Sequence, residues 1–360
     1  MTADYNGAGY YRLQNFKTQR WASMIDDKGS VDYAGTTADL QAIKLQKNFD
    51  EVCSDPASII YIRPYGSLFN IEAQGTSTQK LMNRYLNMRD AGNGPDGKLY
   101  YATGTQSGVE KYVGDGELFP VDVTYAVTSA KNDYRKWYVK PLEEEGKNFF
   151  GVKPSVEANG KHYASLFGDF TFKPYSDGVK TYVIKGIHND MVLMEQVDGV
   201  LAKSTPVIVE CAGATPSDNR LTIGGDGSAV SGNLLKGVYF CATTVKTHLN
   251  YKKFDPATMR VLGACSDGSL GFITPSDLEY IPANTFYLPV PAGTPSELRC
   301  VDQAEYSAGI DDIIGDQDPD TPVDVYNAAG VIVLRQATQQ QIQNLPAGLY
   351  IAGKRKILVR

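Results

Sequence analysis

Residues 321–360 read TPVDVYNAAGVIVLRQATQQQIQNLPAGLYIAGKRKILVR. The run VDVYN alternates apolar and polar residues and meets a turn at Ala329-Gly330. A second run, VIVLR, follows directly. A polar stretch then leads to LPAGLYIA, a turn at Gly353-Lys354 and the closing run KILVR. Successive side chains of a strand point to opposite faces, so period-two runs joined by glycine-bearing turns specify antiparallel hairpins. This tail sets the expectation of an all-β chain.

Composition agrees. The chain has 360 residues, enough for two or three domains, and 42% of them are hydrophobic, enough for packed cores. Its 23 tyrosines suit half-buried pleated surfaces, and its 35 glycines suit turns. The net charge of -6, with an isoelectric point near 5.2, excludes a nucleic-acid partner on electrostatic grounds, because no basic stripe faces phosphate. Lys354-Arg355-Lys356 is too short to alter that. Mean hydropathy is -0.28 and no apolar run reaches eighteen residues, so no transmembrane span is expected. Residues 1–7 carry no charged-then-apolar leader, and the expectation is a chain from which any leader has been removed.

The five cysteines, Cys53, Cys211, Cys241, Cys265 and Cys300, are widely spaced. None forms a CxxC or Cys/His pattern, so neither zinc nor any other metal is expected, and no cofactor motif occurs. A bridge from Cys211 to Cys241 is one expectation. The remaining thiols read as small buried hydrophobes.

A pattern recurs in the first half. GYYRLQN (9–15) precedes RWASM (20–24), FNIEAQG (69–75) precedes LYYATG (99–104), and FFGVKPS (149–155) precedes HYASLF (162–167). IYIRP (60–64) and WYVKP (137–141) echo each other ahead of two of these units. No single hairpin pair can bury its apolar face, while three about an axis can. The arrangement resembles a β-trefoil of the ricin or actin-crosslinking type. Gln19-Arg20-Trp21 carries the letters of the ricin Q-x-W motif inside a unit rather than at its end, and Arg135 precedes Trp137 where that motif has Gln. Sugar binding is therefore not carried over by motif. QKLMNRYLNMRD (79–90) has near-helical apolar spacing and predicts a helical insertion. TADLQAIKLQKNFD (37–50) reads as a strand or a short helix, and residues 124–137 are ambiguous.

In the second half, DGVLAKSTPVIVE (198–210) and LEYIPANTFYLPV (278–290) match as duplicated units, each after a strand-rich segment. This predicts a β-sandwich region. Over 145–360 the chain resembles uncharacterised secreted proteins that place such units before a short tail. Within the tail, Val325-Tyr326-Asn327, Gly330, Leu345, Gly348-Leu349-Tyr350-Ile351 and Lys356-Ile357-Leu358-Val359-Arg360 resemble the C-terminal sorting domain of the Por (type IX) secretion system. That resemblance implies an extracellular or outer cell-surface location. Residues 307–322, rich in Asp, Gly and Pro, read as an acidic linker whose aspartates do not follow EF-hand spacing. The domain expectation is thus 1–155 trefoil-like, 156–306 sandwich, 307–320 linker and 321–360 tail.

Catalytic signals are sparse. His162 sits in a repeated strand slot, His188 in a hairpin turn read as solvated, and His248 seven residues after Cys241. No nucleophile elbow, P-loop or HExxH occurs. Glu143-Glu144-Glu145 reads as a solvated loop. Sugar sites on β-modules use aromatic faces flanked by polar side chains. The candidate ligand-binding residues are therefore Trp21 with Asp26 or Asp27, Tyr100 and Tyr101 near Asn93 and Asp96, and Trp137 beside Tyr134 and Asp133. The reading is a non-enzymatic exported or surface-attached protein binding glycan or an extracellular protein. A carboxylate-based extracellular hydrolase and a structural adhesion component are its rivals.

Overall fold

The computed structural model describes residues 7–15, 19–24, 43–65, 68–72, 85–90, 99–106, 109–112, 137–239, 252–307, 322–327, 330–346, 348–352 and 355–359. The class is all-β: strands dominate the described residues, and the helices among them are short. Contacts divide the chain into two units, Met1–Cys300 and Val301–Arg360. No helix among the described residues is long and apolar enough to cross a membrane.

The first unit opens with strand Gly9–Asn15, in which Tyr11, Arg12 and Leu13 are all buried. Both faces of this strand are therefore interior, and the arginine needs an unusual set of partners. The strand pairs antiparallel with Ile60–Tyr65, which pairs with Leu68–Glu72, then Tyr85–Asp90, then Leu99–Gln106. Strand Trp137–Pro141 pairs with both Leu99–Gln106 and Gly9–Asn15 and so closes a ring of six strands. Trp21–Met24 and Ile43–Lys47 extend from the first strand, and Val109–Tyr112 from Leu99–Gln106.

The helical insertion expected over 79–90 is corrected. Residues 85–90 form a strand between Leu68–Glu72 and Leu99–Gln106, and residues 79–84 lie outside the described set. The near-helical apolar spacing was outweighed by two neighbours able to pair every residue of the segment, a tertiary override of local pattern. The segment 37–50 contains both alternatives: Ile43–Lys47 is a strand, and Phe49–Val52 is one helical turn with Asn48 as N-cap and Glu51 completing its capping box.

Beyond position 141, Phe150–Gly151, Arg220–Ile223 and Phe172–Pro174 form a three-stranded sheet. A ten-stranded sheet begins at Val156–Ala158. Its strand Val207–Cys211 is buried along its whole length between Lys161–Leu166 and Lys180–His188. One core cluster joins Ile59 to Phe150, Phe170, Phe172, Val183 and Leu221, so packing runs continuously across position 155. A second gathers Ile184, Val192, Ile208, Phe272, Phe286 and Leu288.

The duplicated units share a backbone feature. Ser204 and Asn284, at matching positions, both adopt left-handed φ, 62° and 59°. Each leads into a strand, and each contacts the 167–168 backbone: the Ser204 amide donates to Gly168, and the Asn284 side chain donates to the Phe167 carbonyl. His188 ends strand Lys180–His188 and is half-buried rather than solvated. Cys211 is a free buried thiol and not half of a bridge, while Cys241 lies outside the described residues.

In the second unit, Ile332–Ala337, Val323–Asn327, Gly348–Ala352 and Arg355–Val359 form a four-stranded antiparallel sheet in that order. Gly330 takes φ of 78° in the first hairpin, as the turn requires. The polar stretch folds into helix Gln339–Gln343, whose Ile342 packs on Val325, Ala337, Tyr350 and Ala352. Residues 308–321, most of the expected linker, lie outside the described set.

Candidate functional site

The site is built from buried polar residues outward. The Arg12 guanidinium donates to Ser58 Oγ at 2.8 Å, Asn148 Oδ1 at 2.8 Å, and the carbonyls of Phe149 at 2.7 Å, Val52 at 3.0 Å and Cys53 at 3.4 Å. Burial lowers its pKa to about 9, which still leaves it charged at neutral pH. A buried cation is tolerated only when its donors are met, and here main-chain and amide oxygens meet them. Arg12 thereby ties strand Gly9–Asn15 to the turn at Phe49–Val52 and to the segment 148–149.

Asn148 passes this restraint on. Its amide nitrogen donates to the carbonyls of Lys140 and Pro141, at 3.2 and 2.5 Å, and its own carbonyl accepts from the Glu143 amide. The loop 142–147 is therefore pinned at both ends. Asn219, fully buried, does the same for residues 213–218: it donates to the carbonyls of Val152, Gly213 and Thr215 at 3.0, 2.9 and 3.0 Å and accepts from the Gly213 amide. Gly151 allows that turn to approach, since a Cβ there would overlap the Pro216 carbonyl oxygen. The next residue along is Arg220.

On this base stands a ladder of rings. Trp21 and Phe49 have centroids 5.6 Å apart, and Phe49 meets Phe149 edge-on at 5.5 Å. The Arg220 guanidinium carbon lies 4.1 Å from the Phe149 centroid. Arg220 is oriented by its Nη1 donating to the Glu144 carbonyl at 2.7 Å and its Nε to the Ser217 carbonyl at 3.2 Å. The ladder forms a wall of a cleft of about 860 Å³, closed by Gln14, Lys140, Pro141, Glu143, Glu145, Gly146, Lys147 and Asn148. That volume falls in the range of small-ligand sites. Across the loop 142–147 lies a second groove of about 700 Å³, lined by Glu143, Glu144, Glu145, Lys173 and Tyr175 among others.

Charge in the cleft differs from that of the chain. Among the described lining residues, three cations, Lys140, Lys147 and Arg220, stand with two carboxylates, Glu143 and Glu145, in a protein of net charge -6. Both carboxylates have structural attachments. Tyr175 donates its hydroxyl to Glu145 at 2.7 Å, and Glu143 folds over Gly146, where any side chain would overlap its carboxylate. Glu143-Glu144-Glu145 stand in a loop, as expected, with Glu143 and Glu145 exposed to solvent, and Asn148 fixes the ends of that loop beside the cleft.

Of the sequence candidates, Trp21 lines this cleft, though only 9% of it is exposed. Strand pairing sets Gln14 opposite both Trp21 and Tyr138, with Trp137 opposite the neighbouring Asn15, so the backbones of the two tryptophans share one patch of sheet. Tyr100 and Tyr101 pair with Arg89 and Met88 on another part of the ring. The side chains of Tyr100, Tyr101 and Trp137, and all of Asp26 and Asp133, lie outside the described residues. Phe49, Phe149 and Arg220 went unread in the sequence. The available signal was Phe149-Phe150, where one ring must face out if the other is buried.

A separate polar cluster lies within the ten-stranded sheet. Glu210, buried on strand Val207–Cys211, accepts from Lys161 Nζ at 2.9 Å, Tyr182 at 3.3 Å and Tyr163 at 3.5 Å. Burial, then the Glu210 charge, pushes the Tyr163 hydroxyl up to about 12 and raises Tyr182 in the same direction. Its donors satisfy a buried carboxylate, which suits a structural role. Among the described residues no group of three or more His, Cys, Asp or Glu side chains is placed to hold a metal.

Compared with known proteins, the chain matches no family model, no curated protein and no solved structure.

Proposed function

We propose that the protein is an exported or surface-attached binding protein that recognises glycan through the cleft at Trp21, Phe49, Phe149 and Arg220. One observation carries the reading: a ladder of aromatic rings forms a wall of a cleft of ligand size whose rim offers amide, ammonium, guanidinium and carboxylate groups. Sugars present an apolar ring face and a polar edge, which is the surface such a wall and rim complement. The closed ring of six strands with flanking hairpins supports a trefoil-like scaffold, and the tail's resemblance to sorting domains supports export.

The test is a glycan-array screen of the full chain. Binding that falls in Gln14→Ala and in a folded Trp21→Leu variant supports the reading. Binding to no glycan overturns it.

A hydrolase reading draws on a different observation, that Glu143 and Glu145 line the same cleft. Two carboxylates suffice for glycoside hydrolysis. Release of reducing ends by the native chain, lost in Glu143→Gln and Glu145→Gln, would favour it over binding alone.

A further inference from the structure

Resting on the glycan reading, we infer that the cleft takes an anionic saccharide, its carboxylate or sulfate held by Arg220 while a ring face lies against the aromatic wall. Arg220 is oriented by two main-chain carbonyls and by the Phe149 ring, not by a carboxylate. Among the described residues no ion pair engages it. Its charge is therefore fixed in direction at the cleft surface. A guanidinium presents a planar fork of donors suited to two-point contact with a carboxylate, and stacking on an aromatic ring leaves the fork's edge available.

The surroundings favour the same chemistry. Lys140 and Lys147 add positive charge along the rim. The two carboxylates that share the lining have contacts of their own, Glu145 with the Tyr175 hydroxyl and Glu143 with the backbone at Gly146. Among the described lining residues cations outnumber carboxylates by one, in an acidic protein. Long-range attraction for an anion is weak there, and recognition depends on short contacts at Arg220.

The experiment screens the full chain, and its Arg220→Gln and Arg220→Lys variants, against matched acidic and neutral oligosaccharides. Uronate oligomers beside their methyl esters isolate the carboxylate, and sulfated beside desulfated oligomers isolate the sulfate. Acidic members of either pair should be retained and their neutral counterparts lost. Affinity should fall about tenfold in Arg220→Gln, with partial recovery in Arg220→Lys, which keeps charge without the fork. Raising the salt concentration should weaken binding to the unaltered chain, a readout that needs no variant. Equal binding of esterified and acidic forms, or full affinity in folded Arg220→Gln, overturns the inference and leaves the glycan reading standing. Binding to neither class overturns both.

Discussion

The Arg220 guanidinium lies 4.1 Å from the centre of the Phe149 ring and is held there by the carbonyls of Glu144 and Ser217. Each partner is set by a different buried asparagine: Asn148 precedes Phe149, and Asn219 precedes Arg220. The cleft surface is therefore a direct extension of two interior hydrogen-bond networks, and damage to either network should reach the cleft.

Arg12→Met should be strongly destabilising. It takes the guanidinium donor from Ser58, Asn148 and the Phe149 carbonyl, and leaves the Val52 and Cys53 carbonyls with only their remaining amide and hydroxyl donors. The expected loss is at least about 3 kcal/mol, read from the denaturant midpoint. Arg12→Lys should rescue little, because one ammonium cannot reach acceptors arranged around a planar fork.

Asn219→Ala removes an amide whose two N–H groups are shared among three carbonyls and whose oxygen accepts from Gly213. The expected cost is about 2–3 kcal/mol. The folded fraction should bind more weakly, since the turn that presents Arg220 loosens. Full affinity in this variant would separate the turn from the site.

Gly151→Ala should destabilise by about 1–3 kcal/mol through overpacking, because the new methyl group meets the Pro216 carbonyl, which is backbone and cannot swing aside. Thermal denaturation beside Gly160→Ala provides the contrast. Nothing lies near a Cβ at Gly160, so its cost comes only from its φ of 69°.

Stability should decline in alkali. The hydroxyls of Tyr163 and Tyr239 are pushed up to about 12 by burial, and Tyr182 rises for the same reason. A folded pKa above the unfolded value near 10 means the stabilisation is present below about pH 10 and is lost as pH rises through 12. Denaturant midpoints across that range, with phenolate absorbance recorded alongside, check it. Tyr163→Phe should flatten the profile.

The described thiols should be inert in the native chain. Burial pushes Cys211 up to about 12 and raises Cys53, Cys265 and Cys300, which withholds the thiolate needed for reaction. Alkylation followed by mass spectrometry should modify these four slowly when folded and rapidly in denaturant.

Much of the scaffold was legible because strands write a period-two pattern and turns need particular residues. The tail hairpins and the repeated units around Ser204 and Asn284 follow from that, while Val207–Cys211 shows instead as a short continuous apolar run, the mark of a strand buried on both faces. Tyr85–Asp90 misled because Leu81, Met82, Tyr85 and Leu86 have helical spacing while Leu86 and Met88 have that of a strand, and only the partners on either side decide. Trp21 stood out by residue type. Phe49, Phe149 and Arg220 did not, because their meeting depends on Arg12, Asn148 and Asn219 bonding across long stretches of chain. A buried arginine whose partners are carbonyls leaves no spacing to read. Glu143 and Glu145 carry the composition of a surface loop, and only the anchoring of that loop turns them toward a site.

The most direct measurement uses the two tryptophans of the chain. In Trp137→Phe, Trp21 is the sole indole and reports on the cleft it lines. Titrating that variant with an acidic oligosaccharide found in the screen should change its emission saturably, with the same midpoint as calorimetry and with loss of the response in Arg220→Gln. Calorimetric binding with unchanged Trp21 emission and undiminished affinity in Arg220→Gln would place recognition elsewhere and contradict the account.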